Sequence, residues 1–127
     1  MVTGSIRRWL QCEGAFALAV CAVLYGRAGG KWWAFAVFFF APDIAMAGYL
    51  AGSRFGAYAY NSVHSYVGPA LLGLISLGRF RFGVCAALLW AAHIGFDRML
   101  GYGLKYPTGF GDTHLGKIGK QAAVTGV

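Results

Sequence analysis

Four carboxylates serve the whole 127-residue chain, Glu13, Asp43, Asp97 and Asp112, and three histidines accompany them, His64, His93 and His114. Glu13, Asp43, His64, His93 and Asp97 all interrupt long apolar runs. An ionisable group is costly in such surroundings and by default marks a functional site that faces other protein. Imidazoles and carboxylates together, without thiolates, are the donor set that suits Zn²⁺, Fe²⁺ or Mn²⁺. His93 and Asp97 stand four residues apart, on one helix face, so the carboxylate can orient the ring or share an ion with it. Tyr60, Asn61 and His64 line a second helical stretch at i, i+1 and i+4. The pattern predicts His64, His93 and Asp97 as metal ligands, joined by Asp112 and His114 from the C-terminal tail. Asp43 is expected as a further ligand or, like Glu13, as a general base on a water whose pKa a divalent metal can lower to about 7. Tyr60 and Asn61 are assigned to cofactor binding.

The elements that must position these groups follow from composition. Of the residues, 58% are hydrophobic and only 12% charged, about half the charge of an ordinary soluble domain. The apolar residues come in runs, and about 20 in a row are needed to cross a bilayer. Four stretches qualify, 6–25, 32–51, 55–77 and 82–100, separated by "GRAGGK", "GSRFG" and "GRFRFG". Glycine supplies the turns, and Arg or Lys marks the interface. The expected fold is therefore an all-α membrane protein, a four-transmembrane-helix bundle over 1–100. A Gly-rich cytoplasmic C-terminal tail, 101–127, is expected to fold over the bundle's cytoplasmic mouth, with residues 107–116 making the return. The Gly101–Gly103 pair would allow the reversal and Pro107 would stiffen it. Pro42 should bend the second span where Asp43 enters. Gly48, Gly52 and Gly56 read as close packing and a turn, and Trp32, Trp33 and Phe38–Phe40 as lipid-facing bulk.

Counted from the cytoplasmic end of each span at about 1.5 Å per residue, Glu13, Asp43, His64 and His93 fall at about 10–14 Å and Asp97 at about 6 Å. The spans alternate in direction, so this agreement is not imposed by the chain, and it predicts one shared polar layer. His64 and His93 are expected within about 8 Å of each other, close enough to share an ion or a water. Arg98 is read as snorkelling to headgroups rather than neutralising Asp97.

The net charge of +7 is not a nucleic-acid signature, because the cations sit beside span ends instead of forming a stripe. Arg7, Arg8, Arg54, Arg98, Lys105, Lys117 and Lys120 share one side, against Arg27, Lys31, Arg79 and Arg81 on the other. This excess places both termini in the cytoplasm of a multi-pass protein of the bacterial inner membrane. "LAVC" at 18–21 imitates a lipoprotein cleavage box, but Val20 stands where a small residue belongs, so the first span is expected to be retained. Cys12, Cys21 and Cys85 fall within spans with no paired spacing, which excludes zinc-finger and disulfide-framework readings.

The segments "EG" at 13–14, "APD" at 41–43, "YNSVHS" at 60–65, "HIGFDRMLGYGLKY" at 93–106 and "DTHLG" at 112–116 resemble a family of small bacterial membrane proteins catalogued as domain of unknown function 4260. The resemblance covers roughly 8–118 and implies a four-span membrane protein without implying a reaction. Its motif residues coincide with the polar set: Glu13, Asp43, Asn61, His64, His93, Asp97, Asp112 and His114.

Three function classes fit. The first is a metal-centred membrane protein, a hydrolase of a lipid-like substrate. The second is a non-enzymatic accessory subunit of a larger respiratory or photosynthetic complex, or a homo-oligomer. The third is a proton or ion carrier using the polar layer as a relay. Membrane lipids are the expected partners in every case.

Overall fold

A computed structural model of the chain describes residues 4–107 and 111–117. Residues 108–110, inside the expected return of the tail, and Lys120 lie outside the described residues, as does the rest of the tail beyond 117. The described part is mostly helical: α1 (Gly4–Arg27), α2 (Trp32–Phe38), a 3₁₀ segment (Ala41–Ala51), α3 (Ser53–His64), α4 (Val67–Ser76) and α5 (Arg81–Leu100). Two short strands follow, β1 (Asp112–Thr113) and β2 (Gly116–Lys117), paired antiparallel. Among the described residues, three helical stretches are long and apolar enough to cross a membrane: Gly4–Arg27, Trp32–Ala51 and Arg81–Leu100.

The expected third span is not one helix. It divides into α3 and α4 at Ser65, whose backbone is extended (φ −98°, ψ 155°). Pro69 accounts for the break, because a proline ring collides with the carbonyl four residues earlier, and here that carbonyl belongs to Ser65. The carbonyls freed at the end of α3 are not abandoned. Trp90 Nε1 donates to the Val63 carbonyl oxygen at 2.6 Å, and Arg98 Nη2 donates to that of His64 at 3.0 Å. Carbonyls freed by a helix break and shielded from water require such partners. Arg98 is thus half-buried and occupied with α3, which corrects its reading as a snorkelling residue. The same rule shapes the second stretch: α2 ends at Phe38, four residues before Pro42, and the chain resumes as a 3₁₀ helix with Pro42 in its first turn. Asp43 enters there, its N–H donating to the Phe40 carbonyl at 3.0 Å.

α5 is the central element and packs against both α1 and α4, while α3 packs on the 3₁₀ segment. The α1–α5 contact is backbone against backbone. A methyl group built on Gly14 would come within 2.5 Å of Arg98 Cβ and 2.7 Å of the Gly95 carbonyl oxygen. One built on Gly95 would come within 2.7 Å of the Gly14 carbonyl oxygen. Small residues at helix crossings allow this approach where lipid offers no hydrophobic driving force between helices. Gly48 and Gly56 serve the 3₁₀–α3 contact in the same way, and Gly52 turns between them at φ 117°.

α5 stops at Gly101, which adopts the left-handed conformation (φ 92°) while the N–H of Tyr102 donates to the Asp97 carbonyl at 2.7 Å, a C-terminal cap suited to glycine. The chain then doubles back. The 104–106 segment pairs with 112–114 through His114 N to Leu104 O (2.9 Å) and Tyr106 N to Asp112 O (2.7 Å). Hydrogen bonds tie the return to the helices. Asn61 and the Lys105 backbone exchange two 2.7 Å hydrogen bonds, and Arg7 Nε donates to the carbonyl of fully buried Leu115.

Gly95→Leu should overpack the α1–α5 crossing and cost about 1–3 kcal/mol or more, read as a lowered unfolding midpoint in detergent. Gly73→Ala is the matched control. Its added methyl would meet only Ala87 Cβ at 3.6 Å, so the midpoint should hold or rise slightly through better helix propensity.

Candidate metal centre

The two proline breaks and the unbroken α5 bring four side chains together. Asp43 comes from the 3₁₀ segment, His64 from the end of α3, and His93 with Asp97 from consecutive turns of α5. One donor atom from each lies within 4.8 Å of the other three. His64 Nε2 is 3.1 Å from Asp43 Oδ1, 3.5 Å from Asp97 Oδ2 and 3.2 Å from His93 Nε2. His93 Nε2 is 3.2 Å from Asp43 Oδ1 and 3.3 Å from Asp97 Oδ2. Four ligands held tetrahedrally at about 2.0–2.1 Å from an ion sit about 3.3 Å apart, and five of these separations fall between 3.1 and 3.5 Å.

The ring chemistry points the same way. His64 Nδ1 lies 3.0 Å from the Tyr60 carbonyl oxygen. A carbonyl only accepts, so Nδ1 carries the proton and, in the neutral ring, Nε2 presents its lone pair to the cluster. Metal-ligating histidines are commonly held by this backbone contact. The cluster then holds two carboxylate oxygens and at least one imidazole lone pair facing one another, an arrangement that calls for a shared cation or additional protons.

Aromatic rings wall the site. Tyr60 stacks on His64 with centroids 3.7 Å apart and planes at 6°, and Phe39 meets His93 edge-on at 5.5 Å. Both histidines are 0% exposed and the Asp97 side chain 9%, whereas the Asp43 side chain is 27% exposed. Access to the cluster is therefore from the Asp43 side.

The other expected site residues stand elsewhere. Glu13 is exposed on α1 and lines a separate small cavity of about 140 Å³ with Tyr66, Arg98 and His114. Asn61 has both amide atoms on the Lys105 backbone, and Tyr60 supports His64 through its ring and its carbonyl. His114 Nδ1 accepts from the Leu104 N–H at 2.8 Å, within the returned tail. Burial and the Arg98 charge hold this imidazole below its ordinary pKa. Asp112 is buried in β1 and is likewise outside the four-residue cluster.

Lys105 was counted in the sequence only as an interfacial cation, and that reading is corrected. It is 4% exposed, and its ammonium lies 4.5 Å over the Tyr60 ring, a cation–π contact with the ring that stacks on His64. Its place in "GLKY", within the segment 93–106, is the signal that the sequence carries for it. Burial pushes its pKa down to about 8, with Asp97 and Asp43 pulling upward less strongly.

The chain matches the family model described as "Domain of unknown function (DUF4260)" over residues 7–118 and belongs to that family. No curated protein and no solved structure matches it.

A lysine whose folded pKa is lowered penalises the folded state wherever it is charged. Below about 8 the penalty is complete. Between there and the ordinary value near 10.4 the unfolded chain keeps a proton that the folded chain has released, so stability rises with pH. Unfolding midpoints in detergent should rise across this window. Lys105→Met should flatten the rise and be the more stable protein near neutrality, by at most about 3 kcal/mol at about 1.4 kcal/mol per pKa unit.

Proposed function

We propose that this is a membrane protein whose Asp43, His64, His93 and Asp97 bind one divalent transition-metal ion, and that the site is hydrolytic. The observation that carries the metal reading is the convergence of four donor atoms within 4.8 Å, at separations suited to a single ion. Two imidazoles and two carboxylates suit Zn²⁺, Fe²⁺ or Mn²⁺. The Tyr60 carbonyl fixes the ring of His64, and Lys105 adds positive charge behind Tyr60. A bound ion would supply Lewis-acid activation. The hydrolytic reading rests on the exposure of Asp43, 27% against 9% or less for the other three. That leaves one carboxylate where an entering water and a lipid-like substrate could meet it. The three long apolar helices support placement in a membrane, and α3 with α4 as a broken fourth crossing would put the tail and both termini on the cytoplasmic side of a bacterial inner membrane.

A competing reading, an accessory subunit of a larger membrane assembly, draws on α2 and the 3₁₀ segment, neither of which contributes a buried residue. Extraction in mild detergent distinguishes the two. Migration at the mass of one or two copies favours the self-contained site, and co-migration with a larger complex favours the subunit.

Purified protein should carry roughly one ion per chain by elemental analysis, as four converging donors would hold it. His64→Ala, His93→Ala and Asp97→Asn should each reduce this to a small fraction. Glu13→Gln and Asp112→Asn, outside the cluster, should leave it unchanged. Sub-stoichiometric metal in every sample, parent included, overturns the proposal.

A further inference from the structure

A second feature lies beside the break at Pro42. α2 and the first half of α5 enclose an apolar groove of about 890 Å³ between them. Its walls include Trp33, Phe38, Phe82, Ala86 and Leu89, and its inner end is closed by Pro42, Val63 and Trp90. Along α5 it runs from Arg81 to Trp90, nine residues or about 13–14 Å at 1.5 Å per residue. That is close to half of the roughly 30 Å hydrocarbon core, the depth of one leaflet.

Two cations, Lys31 and Arg81, line the other end. The guanidinium of Arg81 lies over the α1–α2 turn, where a methyl on Gly29 would come within 3.1 Å of Nη1. Both side chains belong to exposed residues, and among the described residues no carboxylate pairs with either. All four acids of the chain are Glu13, Asp43, Asp97 and Asp112, none of which lines the groove. An apolar slot one leaflet deep, headed by two unneutralised cations at the interface, is complementary to one kind of molecule.

We propose that this groove is a binding site for an anionic phospholipid of the surrounding membrane, its phosphate held by Lys31 and Arg81 and one acyl chain lying between α2 and α5. Juxtamembrane Lys and Arg attract anionic headgroups, and Arg clamps phosphate through two donors at once. The apolar walls retain the chain. Its terminal end would meet Pro42 and Val63, the residues directly before Asp43 and His64. The binding itself does not depend on a metal being present.

The test uses full-length protein with Trp9→Phe, Trp32→Phe and Trp33→Phe, which leaves Trp90 at the inner end of the groove as the only tryptophan. It is reconstituted in phosphatidylcholine vesicles containing phosphatidylglycerol with brominated acyl chains, and separately with brominated phosphatidylcholine. Brominated phosphatidylglycerol should quench Trp90 several-fold more strongly per mole fraction. Lys31→Gln with Arg81→Gln should abolish that preference. Arg79→Gln, a cation just before the start of α5 that does not line the groove, should preserve it. Ala86→Phe should fill the slot and reduce quenching by both lipids, with far-ultraviolet circular dichroism confirming an unchanged helix content. Equal quenching by the two lipids in the parent, or loss of the preference in Arg79→Gln as readily as in the double variant, overturns the proposal. The first result would mean ordinary lipid contact and the second a diffuse surface charge.

Discussion

Two carboxylates and two imidazoles are held within 4.8 Å of one another inside an apolar bundle, and this cluster requires the most of the structure around it. Each group alone would be costly in such apolar surroundings. Together they can offset the cost only by sharing a cation or protons at fixed distances. Fixed distances in turn require backbone that can be aimed. Asp43 and His64 stand beside breaks in their helical stretches, while His93 and Asp97 sit on the one long helix that is unbroken and packed on two sides.

The breaks are therefore part of the site. Pro42 ends α2 at Phe38 and lets the 3₁₀ segment present Asp43. Pro69 ends α3 at His64 and leaves its ring in the layer instead of in the middle of a straight span. Each break frees carbonyls, and side chains of α5 cap those of α3: Trp90 takes the Val63 oxygen and Arg98 that of His64. α5 thus contributes two members of the cluster and also the partners that make the neighbouring break tolerable. Its position is set by the Gly14–Gly95 crossing, which brings α1 to backbone contact.

The returned tail adds a second layer to the same construction. The reciprocal amide contact between Asn61 and the Lys105 backbone places the Lys105 side chain over Tyr60, which stacks on His64. Positive charge is thereby held over the ring that stacks on His64. Burial lowers the pKa of Lys105 more than Asp97 and Asp43 raise it.

The sequence alone determined the helical class, the long apolar stretches and the depth shared by Asp43, His64 and His93, because length, hydropathy and rise per residue are local quantities. The i, i+4 spacing also put His93 and Asp97 on one face, and they do meet one ion-sized space with His64. Pro42 was legible as a break, and Pro69, four residues beyond Ser65, could have been read the same way. Glu13 shows where such reasoning stops. It shares the depth of the cluster but not its direction, because Gly14 is the residue turned against α5, and the neighbouring position on a helix points about 100° away. Rotation about a helix axis is decided by which small residues let two backbones touch. The partners of Asn61 and Lys105 were hidden for a related reason: they lie 44 positions apart, and only the reversal after Gly101 brings them together. Depth could be counted along the chain, whereas facing had to wait for the packing of α1, α3 and the tail around α5.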